Sequence, residues 1–316
     1  MTSTTKGRLF AGLAWIAAAT AGAPQAAAQT QQAAEPSAEK QRLIDLGTEH
    51  ETALGLYEHF KEQANGGDLL TWENVPDWTG IWTREASPFF WDPDQPPDGM
   101  PTAKLTPEYE RMLVEKLERV EQGIEYDPLS ACNPAGMPRW IVEPFLKEFI
   151  VTPHQTWMIN EMMNEVRRIF TDGRGHPPLE DAYPLWEGDS IGFWDDDRLV
   201  IHTSQMREGQ YQRIQPQYSE EIEVVEVWYR TADDTMIADV WVYDPPSLVE
   251  PWYTKQVFKK LSNDDKSLRI RYWHCNENQN NVVIETEEGT SDFADFTFTE
   301  EDDRSGADTT GANENR

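Results

Sequence analysis

Basic residues are scarce in this chain. Among 316 residues there are 27 Lys or Arg against 57 Asp or Glu, a formal charge of -30 at pH 7. A surface of that sign repels phosphate, which excludes a nucleic-acid backbone as partner and disfavours anionic lipid. Glycine-rich phosphate cradles are missing, as are HExxH, paired His-x-His and EF-hand loops. Nucleotide chemistry and metal catalysis therefore have no basis in the sequence, and no cofactor is expected. Gly188-Asp189-Ser190-Ile191-Gly192 has the letters of a nucleophile elbow but no following helix, which disfavours a serine hydrolase. A glycosidase needs two carboxylates across a cleft, and 57 acids make such a pair impossible to select.

Long apolar runs are also missing, with one short exception. Lys6 and Arg8 precede an apolar stretch from Leu9 to Ala19, and Ala26-Ala27-Ala28 stands before Gln29, the pattern of a cleavable signal peptide over residues 1–28. The stretch is too short for a membrane-spanning helix. The expectation is a periplasmic or secreted protein without stable membrane insertion. Cysteine is reduced to Cys132 and Cys275, with no CxxC and no ligand-spaced histidine nearby. In an oxidising compartment they read better as one disulfide than as a metal site, with two buried thiols or a reactive thiol as the alternative.

What is abundant is aromatic: 13 Trp, 12 Phe and 10 Tyr, enough for one sizeable core. A Gln/Ala/Pro-rich leader runs into a helical pattern over 38–64, with Leu43, Leu46, Leu54, Tyr57 and Phe60 in one stripe and Asn65-Gly66-Gly67 ending it. Thr106-Pro107 signals a second helix to about residue 122, with Thr106 as cap. Residues 86–101, rich in Pro and Asp, read as irregular. From residue 145 the period becomes two. Strands are predicted over 147–161, 165–171, 189–195, 198–204, 220–231, 235–243, 254–261 and 267–275, with a short one from Gly80 to Arg84. Acidic turns such as Asp195-Asp196-Asp197 join several of them. Sequential hairpins with no intervening helix predict a mainly β fold, an antiparallel meander of about 8–9 strands closing into a barrel. The expected organisation is a leader and helix over 29–70, a barrel domain over 71–299 with the helix near 106–122 inserted, and an acidic tail over 300–316.

Several strings carry a resemblance. They are Asp77-Trp78-Thr79-Gly80-Ile81-Trp82, Cys132-Asn133-Pro134-Ala135-Gly136-Met137-Pro138-Arg139, Thr171-Asp172-Gly173-Arg174-Gly175-His176-Pro177, Gly188-Asp189-Ser190-Ile191-Gly192-Phe193-Trp194 and Cys275-Asn276-Glu277-Asn278. Together they resemble an uncharacterised family of exported bacterial proteins with lipocalin-like (calycin-type) barrels, over roughly residues 75–285. The resemblance implies a lipocalin-like barrel and pairing of Cys132 with Cys275; it implies no chemistry. Asp195-Asp196-Asp197-Arg198 departs from the family's usual Glu-Gly-Asp, within a turn.

Strand parity then selects candidate site residues. Glu161 shares its parity with Phe149, Trp157 and Ile159, which predicts a carboxylate facing the barrel interior or its rim. Ile222, Val224 and Trp228 bracket Glu226. His274 continues the parity of Leu268, Ile270 and Tyr272, whereas the direction of His202 is undecided. A desolvated carboxyl or a histidine can transfer protons near neutral pH. Arg168, Asp172, Arg174 and His176 form the densest polar motif, in which Arg174 could hold a carboxylate or phenolate and His176 could move a proton; a purely structural turn is the competing reading. The candidate catalytic set is thus Glu161, His202, His274, Glu226, Arg174 and His176. Candidate substrate contacts are Trp157, Arg168, Trp194, Trp228 and Tyr272. The leading functional reading is an exported enzyme acting on a hydrophobic or aromatic small molecule by cofactor-independent acid–base chemistry. The alternatives are a non-catalytic carrier or sensor with the same pocket, and an envelope-interaction protein using the 38–64 helix.

Overall fold

The computed structural model describes residues 37–85, 103–124, 127–181, 183–261 and 268–275, with the backbone of two short strands beyond them. The expected signal peptide, the aromatic and proline-rich stretch 86–101 and the acidic tail lie outside the described residues.

The fold is mainly β. In chain order the strands are β1 Ile81–Arg84, β2 Lys147–Val151, β3 Gln155–Asn160, β4 Val166–Phe170, β5 Asp189–Asp195, β6 Arg198–Ser204, β7 Gly209–Gln210, β8 Gln217–Tyr218, β9 Glu223–Ala232, β10 Thr235–Tyr243, β11 Trp252–Lys260, β12 Val283–Glu285 and β13 Ser291–Phe293. Nine of them close a barrel in the order β1-β11-β10-β9-β6-β5-β4-β3-β2, while β7–β8 and β12–β13 form separate two-stranded sheets. The α-helices among the described residues are α1 Ala38–Thr48, α2 Ala53–Gln63, α3 Pro107–Glu121 and α4 Arg139–Val142. No helix among the described residues is long and apolar enough to cross a membrane.

The barrel has the expected strand count but reaches it differently. The expected single strand over 147–161 is a hairpin, because Pro153 cannot donate to a ladder and Thr152 Oγ1 donates to the Gln155 carbonyl at 2.7 Å to close a turn. That adds one strand. The expected strand over 267–275 is not one: residues 268–275 are irregular. Asn164 takes both backbone groups of Trp273, at 2.8 and 3.0 Å, and the Glu161 carboxylate accepts from the Arg271 amide at 3.1 Å. β11 is already paired with β1, so the closed sheet offers this segment no edge. The meander also has one exception. β4 and β5 are parallel, so the connection between them crosses back to the starting end of the strands instead of turning in a hairpin.

The expected helix over 38–64 is two. Thr52 caps α2 through its hydroxyl on Gly55 N at 3.0 Å. Gly47 ends the α1 contact so closely against Trp241 that a Cβ would lie 2.7 Å from its ring. Leu43, Leu56 and Tyr57 pack with Phe193, Val225, Val227, Trp241 and Tyr253 on the outside of the barrel. The apolar face of the helix pair is thus spent within the molecule. In α3, Thr106 makes no side-chain cap; its hydroxyl donates to the Pro246 carbonyl at 2.8 Å.

The opposite face of each strand fills the barrel. Trp78 plugs one end, making edge contacts with Phe149 and Trp194. Trp228 stacks on Phe258 with ring centres 5.0 Å apart, and Trp82 Nε1 donates to the Trp78 carbonyl at 3.0 Å. Toward the other end, where β1 finishes and β2 begins, the interior turns polar, with Arg84, Lys147, Asn160 and Arg167 buried on the apolar parity of their strands.

Candidate functional site: a cavity at the polar end of the barrel

Glu226 faces the interior, as parity predicts, but it is fully committed. Arg167 meets it with two parallel bonds, Nη1 to Oε2 at 2.8 Å and Nη2 to Oε1 at 2.5 Å, and Trp228 Nε1 donates to Oε2 at 2.8 Å. Arg167 Nη2 also reaches Thr203 Oγ1 at 2.7 Å. A buried fork-to-fork pair with its remaining donors satisfied is a structural element, not a free acid or base.

Near it lies a second carboxyl pair. Glu165 accepts from Gly136 N at 3.0 Å and from Asn160 Nδ2 at 3.2 Å. Gly136 has φ +67, and a Cβ there would stand 2.7 Å from the Trp186 carbonyl, so glycine permits the approach. Neither oxygen of the buried Glu187 finds a donor. Burial raises the Glu165 pKa and raises that of Glu187 well above the carboxylate range, with Glu165 itself as the next cause. Of the two carboxyls, Glu187 is therefore the one that holds its proton more tightly. Lys147 is equally buried: its Nζ donates to the Glu143 carbonyl at 2.9 Å and sits 4.8 Å from the Trp140 ring centre. Burial holds its pKa down to about 7, Arg84 acts in the same direction, and Glu143, Glu165 and Glu187 oppose them.

A cavity of about 420 Å³ opens at this end, a size suited to a small organic ligand. Phe145, Met162, Met163 and Trp273 give it apolar walls, and Arg84, Arg139, Glu143 and Gln212 a polar lining. Trp273 packs edge-on against Phe145 at 5.2 Å. It belongs to the irregular segment 268–275, which the Cys132–Cys275 disulfide ties to the segment after Leu129 and Ser130, on another wall of the cavity. The expected disulfide is thus present, and it cross-links two walls. Arg139 is saturated by Asp127, at 2.8 and 2.9 Å, and by Glu143 at 2.6 Å. Arg84 is not: Nε donates to Gln256 Oε1 at 2.8 Å, Nη1 to the Val142 carbonyl at 2.7 Å, and the buried Nη2 to nothing.

The sequence candidates do not converge on this cavity. Of the two readings of Glu161, barrel interior or rim, the second holds: the turn at Pro153 resets the alternation, so Thr156, Met158 and Asn160 face inward, and Glu161 sits past the end of β3 holding the Arg271 amide. Trp157 and Arg168 lie on the outer face, the guanidinium 5.0 Å from the indole centre. Trp194 and Trp228 are interior packing. Tyr272 is 72% exposed and packs against the exposed His274, because their segment is not a strand. Arg174 is on the surface, paired with Asp172 at 2.6 Å.

His202 and His176 do meet, but outside the barrel. His176 Nδ1 lies 2.5 Å from Asp189 Oδ1, and its Nε2 lies 2.7 Å from His202 Nδ1. His202 Nε2 is 3.5 Å from Glu223 Oε2, an ion-pair distance without hydrogen-bond geometry. Asp189 can only accept, so His176 Nδ1 carries a proton; with His176 neutral, its Nε2 accepts from His202 Nδ1. The chain Asp189–His176–His202–Glu223 fastens the 171–188 crossover to β6 and β9, and none of its members lines the 420 Å³ cavity.

The residues missed were Arg84, Lys147 and Arg167, each a charge on an otherwise apolar parity beside Trp82, Phe149 and Ile169 respectively. That anomaly was the available signal. Among the described residues no group of three or more His, Cys, Asp or Glu could hold a metal ion. The chain matches no protein-family model and none of the curated proteins compared with it.

Proposed function

We propose that this protein is an exported small-molecule carrier or sensor that holds a hydrophobic or aromatic ligand in the cavity at the polar end of its barrel. The observation that carries the reading is the composition of that cavity: four large apolar or aromatic walls, and no uncommitted acid or base in its lining. Glu143 is bonded to Arg139, Asp127 to the same guanidinium, and the histidines lie elsewhere. Soft methionines and an edge-on aromatic pair suit a flat or adaptable apolar body. The disulfide suits an oxidising compartment, and the motif resemblance to exported lipocalin-like barrels points the same way.

The test is native mass spectrometry of the protein purified with its disulfide intact. A retained small-molecule adduct is expected, and Met163→Trp, which fills the cavity, is expected to remove it. An adduct that persists in Met163→Trp places the ligand elsewhere and ends this reading. The second reading, an acid–base enzyme, is favoured by the Asp189–His176–His202–Glu223 chain. It expects the retained compound to be converted on incubation, and His176→Asn to abolish that conversion while leaving the adduct in place.

A further inference from the structure

Arg84 raises a problem that its surroundings do not solve. It is 7% exposed, and its three hydrogen-bonding nitrogens are served by an amide oxygen, a backbone carbonyl and nothing. No carboxylate among the described residues is hydrogen-bonded to it. Glu143, the anion that acts on it electrostatically, has its Oε1 on Arg139. Taking a guanidinium out of water without a bonded counter-ion is costly, by several kcal/mol in typical interiors, and burial lowers the Arg84 pKa to about 10.

A second polar group in the same lining has the same defect. Gln212 is 3% exposed and its Oε1 has no donor. Rotating the amide by half a turn presents Nε2 at that position instead. The cavity then offers a charged donor and a neutral donor beneath apolar walls. The other charges in its lining do not oppose an anion: Arg139 is matched by Asp127 and Glu143 through direct bonds, and Arg213 is a further cation at the exposed surface.

We propose that the ligand is an amphipathic carboxylate, seated with its carboxyl group on the Arg84 guanidinium and its apolar body between Phe145, Met162, Met163 and Trp273. This rests on the binding reading above and deepens it by naming the ligand class. A guanidinium aimed at a planar anion is the arrangement that favours carboxylate over an uncharged head of similar shape. A purely apolar or neutral ligand would leave Arg84 in the same uncompensated state, now with less water within reach. The carboxylate supplies the missing partner when it binds, so affinity and head-group selectivity come from one residue.

The probes are 2-naphthoate and its uncharged counterpart 2-naphthalenemethanol, titrated calorimetrically into the intact, disulfide-bonded protein at neutral pH. The expected result is at least a ~10-fold preference for the carboxylate, and loss of that preference in Arg84→Met with the alcohol's affinity held within about twofold. Should Arg84→Met fail to fold, the side-chain nitrogens of Arg84 in ¹⁵N-arginine-labelled wild type provide the readout. Those signals are expected to shift with naphthoate and to stay in place with the alcohol. Equal affinity for the two probes overturns the carboxylate assignment and leaves the cavity as a binding site. Naphthoate binding that persists unchanged in a folded Arg84→Met also overturns it. If neither probe binds, the cavity is not the ligand site and both proposals fall together.

Discussion

The two ends of the barrel are built on the same strands and obey the same inward parity, yet they solve burial in opposite ways. At the Trp78 end the interior is aromatic, with Trp82, Phe149, Trp194, Trp228 and Phe258 packed together; Trp82 Nε1 is taken by a backbone carbonyl and Trp228 Nε1 by Glu226. At the far end the same positions hold Arg84, Lys147 and Arg167, with Glu165 and Glu187 packed beside them. Apolar burial is non-directional and insensitive to pH. Ionisable burial is directional, and is stabilising only when every charge has a partner. The aromatic end therefore carries the fold, and the end that departs from that economy is where a ligand has something to complete.

This contrast can be broken by substitution. Arg167→Met strands the Glu226 carboxylate in the interior and should remove about 3–5 kcal/mol in urea unfolding at neutral pH. The double variant Arg167→Met/Glu226→Leu should recover most of that loss; a double variant as weak as the single one would mean the pair matters for more than charge balance. Trp82→Ala on the aromatic end should cost ~3–4 kcal/mol, and the loss should be the same across the pH range, unlike that of its charged counterpart. Replacing Cys132 and Cys275 by Ala should cost about 2–4 kcal/mol, with the carboxylate probe lost before global unfolding if the wall carrying Trp273 comes away.

The pH dependence sharpens the same contrast. Glu187 has a folded-state pKa raised well above 4.5, so the folded chain keeps a proton that the unfolded chain has released. Stability from this group is present below the unfolded value and is lost as pH rises toward the raised one. Lys147 does the reverse: its folded pKa of about 7 lies below the unfolded 10.5, so its penalty falls as pH rises through that window. Glu187→Gln keeps the side chain's shape without its titration and removes the first effect, and its melting temperature should decline less from acidic to neutral pH than that of wild type. Parallel curves would show that Glu187 is not the proton holder. The smallest effect is expected outside the barrel. His176→Phe removes two hydrogen bonds from the crossover, about 1–2 kcal/mol, and leaves the carboxylate probe bound.

The parts of the fold that periodicity could reach were legible. β5, β6 and β10 have the residue limits that alternation and turn residues predict, because each is bounded by acidic turns or by a change of period. The inward direction of Glu226 followed from its neighbours. The interior reading of Glu161 gave way to the rim because parity holds only within one strand, and the Pro153 turn shifted it by an odd number of residues. Tyr272 and His274 failed because an alternating pattern needs an open edge to become a strand, and β1 had already taken the edge of β11. The cavity was not legible as a set, since Arg84, Phe145, Met163, Gln212 and Trp273 come from five separated segments. Its single sequence trace was a charge standing where an apolar residue belonged.

The pairing of β1 has a consequence for how the chain reaches its native state. Residues 81–84 sit between β2 and β11, with Trp82 opposite both Lys147 and Lys260. Closure must therefore join positions almost the whole barrel sequence apart, the kind of non-local contact that slows folding because loop entropy is lost before the contact repays it. Until residue 260 has been made, the nascent sheet is an unclosed ribbon with two free edges. A chain whose barrel cannot close before its last barrel strand exists remains threadable through a narrow conduit until that strand has been made.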